Sequence, residues 1–232
     1  SEYIFGGEAP TGGFLSPYDI LFVPGNALYV LEVANRRVSM LDMFDTGNWY
    51  TFGSYGTGVG EFNNPRCLTY HNGYVVVGDS GNSRLVRLNL GPSMSWVSER
   101  PVEDGGNPSG LAADSVSGNL YASMASGGIC EYYDEDLAYL GEWGQNGNAA
   151  QITNDISAVN IGLDGFMYAC QFLYGTDGMI RRWSIINIEP TVTIATVVSD
   201  LGLEIGSVTS TVTLSFDITP EASGPIADVE IS

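Results

Sequence analysis

Short strand-like runs of three or four residues, each bounded by glycine, asparagine, aspartate or proline, fill the first 186 residues of the chain. Residues 20–23 and 27–30 flank the turn Pro24-Gly25-Asn26, and 67–70 and 74–77 flank Asn72-Gly73. Further on, 110–113 and 120–122 flank Ser117-Gly118-Asn119, and 158–161 and 166–169 flank Asp164-Gly165. The turn glycines Gly25, Gly73, Gly118 and Gly165 are therefore 48, 45 and 47 residues apart. A third run follows each pair, at 38–41, 85–88, 129–132 and 180–183. A fourth, ending in or next to an aromatic, occupies 49–52, 95–97 and 140–143. Four short strands in a period of about 45 residues is the spacing of a propeller blade. No stretch sustains a 3.6-residue apolar period, so no helices are expected. The pattern predicts an all-β chain, a four-repeat β-propeller over residues 1–186 followed by a short β-rich C-terminal segment. The fourth period has no outer run of its own before Pro190, whereas Tyr3-Ile4-Phe5-Gly6 matches the outer runs ending Phe52-Gly53 and Trp143-Gly144. The N-terminal strand is thus expected to close the last blade, hiding the sheet edges. A larger ring, or completion by a neighbouring chain, is the competing arrangement.

The first two periods match residue by residue. Phe5-Gly6 through Gly13-Phe14-Leu15-Ser16-Pro17 parallels Phe52-Gly53 through Gly60-Glu61-Phe62-Asn63-Asn64-Pro65. Glu32 to Val38, including Asn35 and Arg37, parallels Asp79 to Leu85, including Asn82 and Arg84. This resembles the NHL-repeat family of β-propellers, whose repeat reads G-x-G-x-F-x-x-P, a strand, an acidic residue, and N-x-R. Period three keeps Asn107-Pro108 and Gly110 but carries Gly127-Gly128-Ile129 where the arginine belongs, and period four lacks the proline. We read Glu32 with Arg37, and Asp79 with Arg84, as structural pairs tying one strand end to the next strand's start.

Residues 187–232 hold seven acids and no base. Their strand-like runs resemble the start of an immunoglobulin-like or cohesin-like sandwich, which needs about 100 residues to close. They are expected to form an incomplete sandwich or a tail that adds strands to a neighbour, the contact of a filament.

Charge narrows the partners. Eight basic residues, all arginine, face 27 acids for a net charge of −19. That sign excludes nucleic acid, which needs cations to displace counterions, and no apolar stretch reaches the length of a membrane helix. Protein partners, self-association and stacking on carbohydrate remain, with Tyr55, Trp96 and Trp143 as candidate contact aromatics. Three widely spaced cysteines form neither a disulfide framework nor a metal motif. The single histidine, His71, precedes the Asn72-Gly73 turn and is expected to be solvated. The acidic run 131–136 reads as a turn, with Asp134 and Asp136 a weak calcium candidate; no other cofactor is indicated. The expectation is a non-catalytic extracellular interaction module. The alternative is a metal-assisted lyase or lactonase with its site in the propeller channel.

Overall fold

Asparagine and glycine before a strand return set the hairpins. Asn72 and Gly73 adopt φ of 46° and 85°, the left-handed pair that a tight two-residue hairpin requires. The protein is described from a computed structural model, covering residues 9–23, 25, 27–42, 48–103, 105–125, 128–143, 156–171, 179–184, 191–193 and 211–213. Blade one is the antiparallel sheet Pro17–Val23 (β1), Ala27–Glu32 (β2), Arg37–Asp42 (β3) and Trp49–Phe52 (β4). The loop leaving it holds a two-residue parallel pair, Ser54–Tyr55 (β5) with Glu61–Phe62 (β6). Blade two comprises Pro65–His71 (β7), Tyr74–Asp79 (β8), Arg84–Leu88 (β9) and Trp96–Pro101 (β10). Blade three comprises Pro108–Ala113 (β11), Leu120–Met124 (β12), Cys130–Tyr133 (β13) and Tyr139–Trp143 (β14). Blade four shows three strands, Ile156–Ile161 (β15), Phe166–Gln171 (β16) and Met179–Ser184 (β17). Its outer strand, expected from residues 3–6, lies outside the described residues. A single 3-10 turn, Ser80–Asn82, is the helical element among the described residues.

The chain divides into two units, Ser1–Trp183 and Ser184–Ser232. Within the second, Thr191–Thr193 (β18) pairs antiparallel with Thr211–Thr213 (β19), and the other residues expected to form sandwich strands lie outside the described set.

The blades stack face to face through apolar side chains alternating along each strand. Tyr29, Leu31, Val38 and Met40 of blade one meet Leu68, Val75, Val77, Val86 and Leu88 of blade two. The opposite face of blade two, through Cys67, Val76 and Leu85, meets Leu111, Leu120, Ala122, Met124 and Tyr133 of blade three. Each such fully buried chain contributes about 1.5–3 kcal/mol over its exposed state. The inner strands run side by side, β1 against β7, β7 against β11, and β11 against β15.

One irregularity recurs in all four inner strands. The pairing register slips between Pro17 and Asp19, Pro65 and Cys67, Pro108 and Gly110, and Ile156 and Ala158. Each is a β-bulge at the second residue of the strand, placing Tyr18, Arg66, Ser109 and Ser157 at equivalent points. Proline has no N–H for the ladder, which suits it to the strand position just before a bulge.

Candidate functional site

The repeat clusters of blades one and two each join an acid, an asparagine and an arginine within six residues of chain. Glu32 ends β2 and Arg37 begins β3, with Arg36 between them at φ 52°. The Glu32 carboxylate accepts from Arg37 Nε at 2.8 Å, Asn35 Nδ2 at 2.6 Å, the Leu15 amide at 3.0 Å and the Ser39 hydroxyl. Burial alone pushes this carboxyl up, but the bonds from Arg37, Ser39, Leu15 and Asn35 outweigh it and hold Glu32 below the usual range. Asp79 repeats the pattern, accepting from the Asn63 amide at 2.7 Å, Asn82 Nδ2 at 2.7 Å and Arg84 Nε at 2.9 Å. Here burial prevails over the same kinds of bond and the carboxyl is raised. Arg84 also donates to Glu99 at 2.7 Å and to the carbonyls of Thr57, Gly58 and Glu61. These pairs hold the loops between blades. In blade three, where Ile129 replaces the arginine, buried Glu131 instead accepts from the Tyr133 hydroxyl and the Glu103 amide at 3.2 Å.

The other candidates separate. Tyr55 presents an exposed ring with the Arg36 guanidinium 4.6 Å from its centroid. Trp96 is not a free contact residue. Its ring lies 5.9 Å from that of Phe62 and 4.9 Å from the Arg84 guanidinium, so it is spent on packing between blades one and two. Trp143 pairs with Cys130 in the β13–β14 ladder, and its side chain lies outside the described residues. Asp134 accepts from the Asp136 and Ala138 amides of its own turn, while exposed Asp136 sits 3.9 Å from Arg87. Cys67 and Cys130 are buried free thiols and Cys170 an exposed one.

His71 corrects the expectation of a solvated residue. It is buried, 3% exposed, with Nε2 donating to the Gly118 carbonyl at 2.8 Å. Burial holds the imidazole below its ordinary value, with the Arg87 cation adding to that shift. It borders a cavity of about 360 Å³ with Tyr70, Asn72, Asp114 and Glu135. Asp114 is committed to its own turn through Ser117 and the Val116 amide. The remaining ring nitrogen, Nδ1, is buried without a hydrogen-bond partner among the described residues.

The bulges at the opposite end of the inner strands bring together a different set, which no short motif announces. Arg66 lies with its guanidinium 5.8 Å from the Tyr18 ring centroid, within reach of a cation–π contact. Among the described residues it has no hydrogen bond or ion pair. The next residue along β1, Asp19, accepts from the Leu68 amide at 2.9 Å and from the Ile20 amide at 2.8 Å. Burial raises its carboxyl, the two amides opposing. Tyr18 and Arg66 thus stand together where β1 and β7 run side by side, and the half-buried Asp19 carboxyl is the next residue along β1. Ser109 is locked to Ser123 and to the Ile156 carbonyl, whereas Ser157 is exposed. The prolines at 17, 65 and 108 were the available signal, since a strand opening on proline is a place for a bulge. No group of three histidine, cysteine or carboxylate side chains suited to a metal occurs among the described residues, so the metal expected for a channel enzyme has no ligand set here.

No protein-family model and no characterised protein matches the sequence. Solved structures do match the fold. A streptogramin B lyase superposes with a TM-score of 0.55 at 14% identity, over 82% of this chain and 60% of its own. A gluconolactonase from Xanthomonas campestris gives 0.54 at 16% identity, over 71% and 57%. The β-propeller domain of Cps50 from Myceliophteria thermophila gives 0.54 at 11%, over 73% and 54%. The chain thus spans less than two thirds of the propellers it resembles. The fold is a β-propeller. The expectation of a non-catalytic module is corrected by these neighbours, two of the three being enzymes, a lyase and a gluconolactonase.

Proposed function

We propose that this propeller is an enzyme of the lyase or lactonase kind, acting on a cyclic or open carboxylic ester at the Tyr18–Asp19–Arg66 cluster. The observation that carries this is the bulge pair of β1 and β7, which sets Arg66 against the Tyr18 ring with no hydrogen bond or ion pair among the described residues. Ester opening, by elimination or by water, ends with a carboxylate. Arg66 presents a planar set of donors matched to that group, and stabilises the negative charge as it grows on oxygen. Asp19 keeps lone pairs beyond those its two amides occupy, and its raised pKa suits a group that takes up and returns a proton. No step is routed through a metal.

The fold shared with streptogramin B lyase and gluconolactonase supports the same class. The matched clusters Glu32–Asn35–Arg37 and Asp79–Asn82–Arg84 support an NHL-type repeat in blades one and two. The test is turnover of a panel of aldonolactones and cyclic depsipeptides, followed as acid released. Arg66→Ala should lower kcat/KM about 100-fold or more while leaving the thermal transition nearly in place, since Arg66 holds no hydrogen bond or ion pair among the described residues and only touches the Tyr18 ring. Absence of turnover on every lactone and ester in the panel sinks the reading.

A further inference from the structure

At the end of the inner strands away from the bulges, the turns of blades two and three enclose a second recess. It is the cavity of about 360 Å³ bordered by Tyr70, His71 and Asn72 of blade two and by Asp114, Ser115 and Glu135 of blade three. That volume is at the lower end of the range in which proteins hold small molecules. Both blades have all four strands, so the cavity lies between complete sheets. Two bonds tie its walls together. Asn72 Nδ2 donates to the Glu135 carbonyl at 3.3 Å, and Arg87 donates to the same oxygen.

The polar groups left over in these walls accept rather than donate. The Gly118 carbonyl can only accept, so His71 Nε2 carries the proton of the neutral ring and Nδ1 keeps a bare lone pair. His71 is 3% exposed, and that nitrogen has no partner among the described residues. A buried polar atom without a bond is the exception in a folded chain. Burial alone pushes the Asp114 carboxyl up, but bonds from Ser117 and the Val116 amide outweigh it and keep the group ionised. Asp114 Oδ1 accepts the Val116 amide at 2.9 Å and has a second lone pair. Glu135 is exposed and adds a second carboxylate, and Tyr70 presents a partly exposed ring. The walls hold these two carboxylates and no arginine among the described residues, and the chain contains no lysine.

We infer that this cavity binds a small primary ammonium ion, its charge set against Asp114 and Glu135 and one N–H given to His71 Nδ1. An anion would meet two carboxylates there. A quaternary ammonium brings the charge without a donor, and a neutral alcohol brings a donor without the charge. The net charge of −19 raises the local concentration of cations in such a recess. The inference stands apart from ester chemistry at Arg66, since the two places lie at opposite ends of the inner strands.

His71 is the single histidine of the chain, so the imidazole nitrogen spectrum of the isotope-labelled protein reports on this ring alone. At about pH 8 the buried ring is neutral and a primary amine still carries its proton. Titration with butylamine should move the Nδ1 resonance toward its hydrogen-bonded position along a saturating curve. Tetramethylammonium, butanol and sodium chloride should leave it in place over the same range. Glu135→Gln should weaken butylamine binding about fivefold, the worth of one exposed ion pair. Its melting temperature should not change, because Glu135 holds its neighbours through its backbone oxygen. A resonance that butylamine does not move overturns the proposal. So does one that tetramethylammonium, butanol or salt moves equally, or a dissociation constant that Glu135→Gln leaves as it was.

Discussion

Arg84 is the residue on which blade two turns. It is 8% exposed at its side chain, bonds two carboxylates and three carbonyls, and covers the face of Trp96. Removing it leaves Asp79, which is fully buried, without its cation. Arg84→Ala should therefore destabilise by about 3–5 kcal/mol in urea unfolding. Arg84→Lys should recover little, since one ammonium cannot span acceptors arranged for a planar guanidinium. His71 supplies a pH dependence of known sign. Its folded-state pKa lies below the 6.5 of a free histidine because burial disfavours the imidazolium and Arg87 opposes it, although the Gly118 carbonyl, Asp134 and Glu135 act the other way. The unfolded chain then binds the proton more readily, so this contribution is intact above 6.5 and declines as the pH falls below it. The melting temperature of the wild type should drop more between about pH 7.5 and 5.5 than that of His71→Gln, whose amide keeps a donor for Gly118; parallel curves would refute it. The acid–arginine pairs were legible in the sequence because partners lie five residues apart. The burial of His71 was not, because it is made by Gly118, 47 residues away and one full period on. A local reading of the Asn72-Gly73 turn sees only its polar residues.

At the scale of elements, the strands follow from turn spacing and two-residue alternation, and three of the four blades have all four strands among the described residues. What spacing does not carry is the register slip at each inner strand. A bulge adds a residue without changing the apolar pattern enough to be noticed, yet it decides where Tyr18 and Arg66 stand. The tightness between blades is equally silent in composition. Gly110 looks like any strand glycine until its surroundings are known, with Ala158 Cα, Val159 N and Ser123 Oγ all 2.8 Å from where a Cβ would lie. Two of these are backbone atoms of the next blade, so they cannot rotate away. Gly110→Ala should cost about 1–3 kcal/mol by overpacking, read as a fall in melting temperature. An Ala variant as stable as the wild type would show that blades three and four have room to separate.

For the whole molecule, the −19 charge and the absence of lysine gave the classes to exclude but not the class to choose. Of the arginines whose partners are described, Arg37, Arg84, Arg87, Arg100 and Arg182 each lie within 4 Å of a carboxylate, and Arg36 and Arg66 do not. The chain thus uses its few cations mainly to hold itself together, which is why an uncommitted one carries weight. The stacking of one blade on the next has a consequence for the history of the fold. Every blade offers the same two surfaces, so nothing inside a blade counts how many neighbours it has. A duplicated period of 45 to 48 residues, spliced in at an inter-blade loop such as 102–107, would dock on both sides without altering either neighbour. Blade number is then a matter of where the series stops and what meets its ends, and it can change by whole repeats while the core of each blade stays as it is.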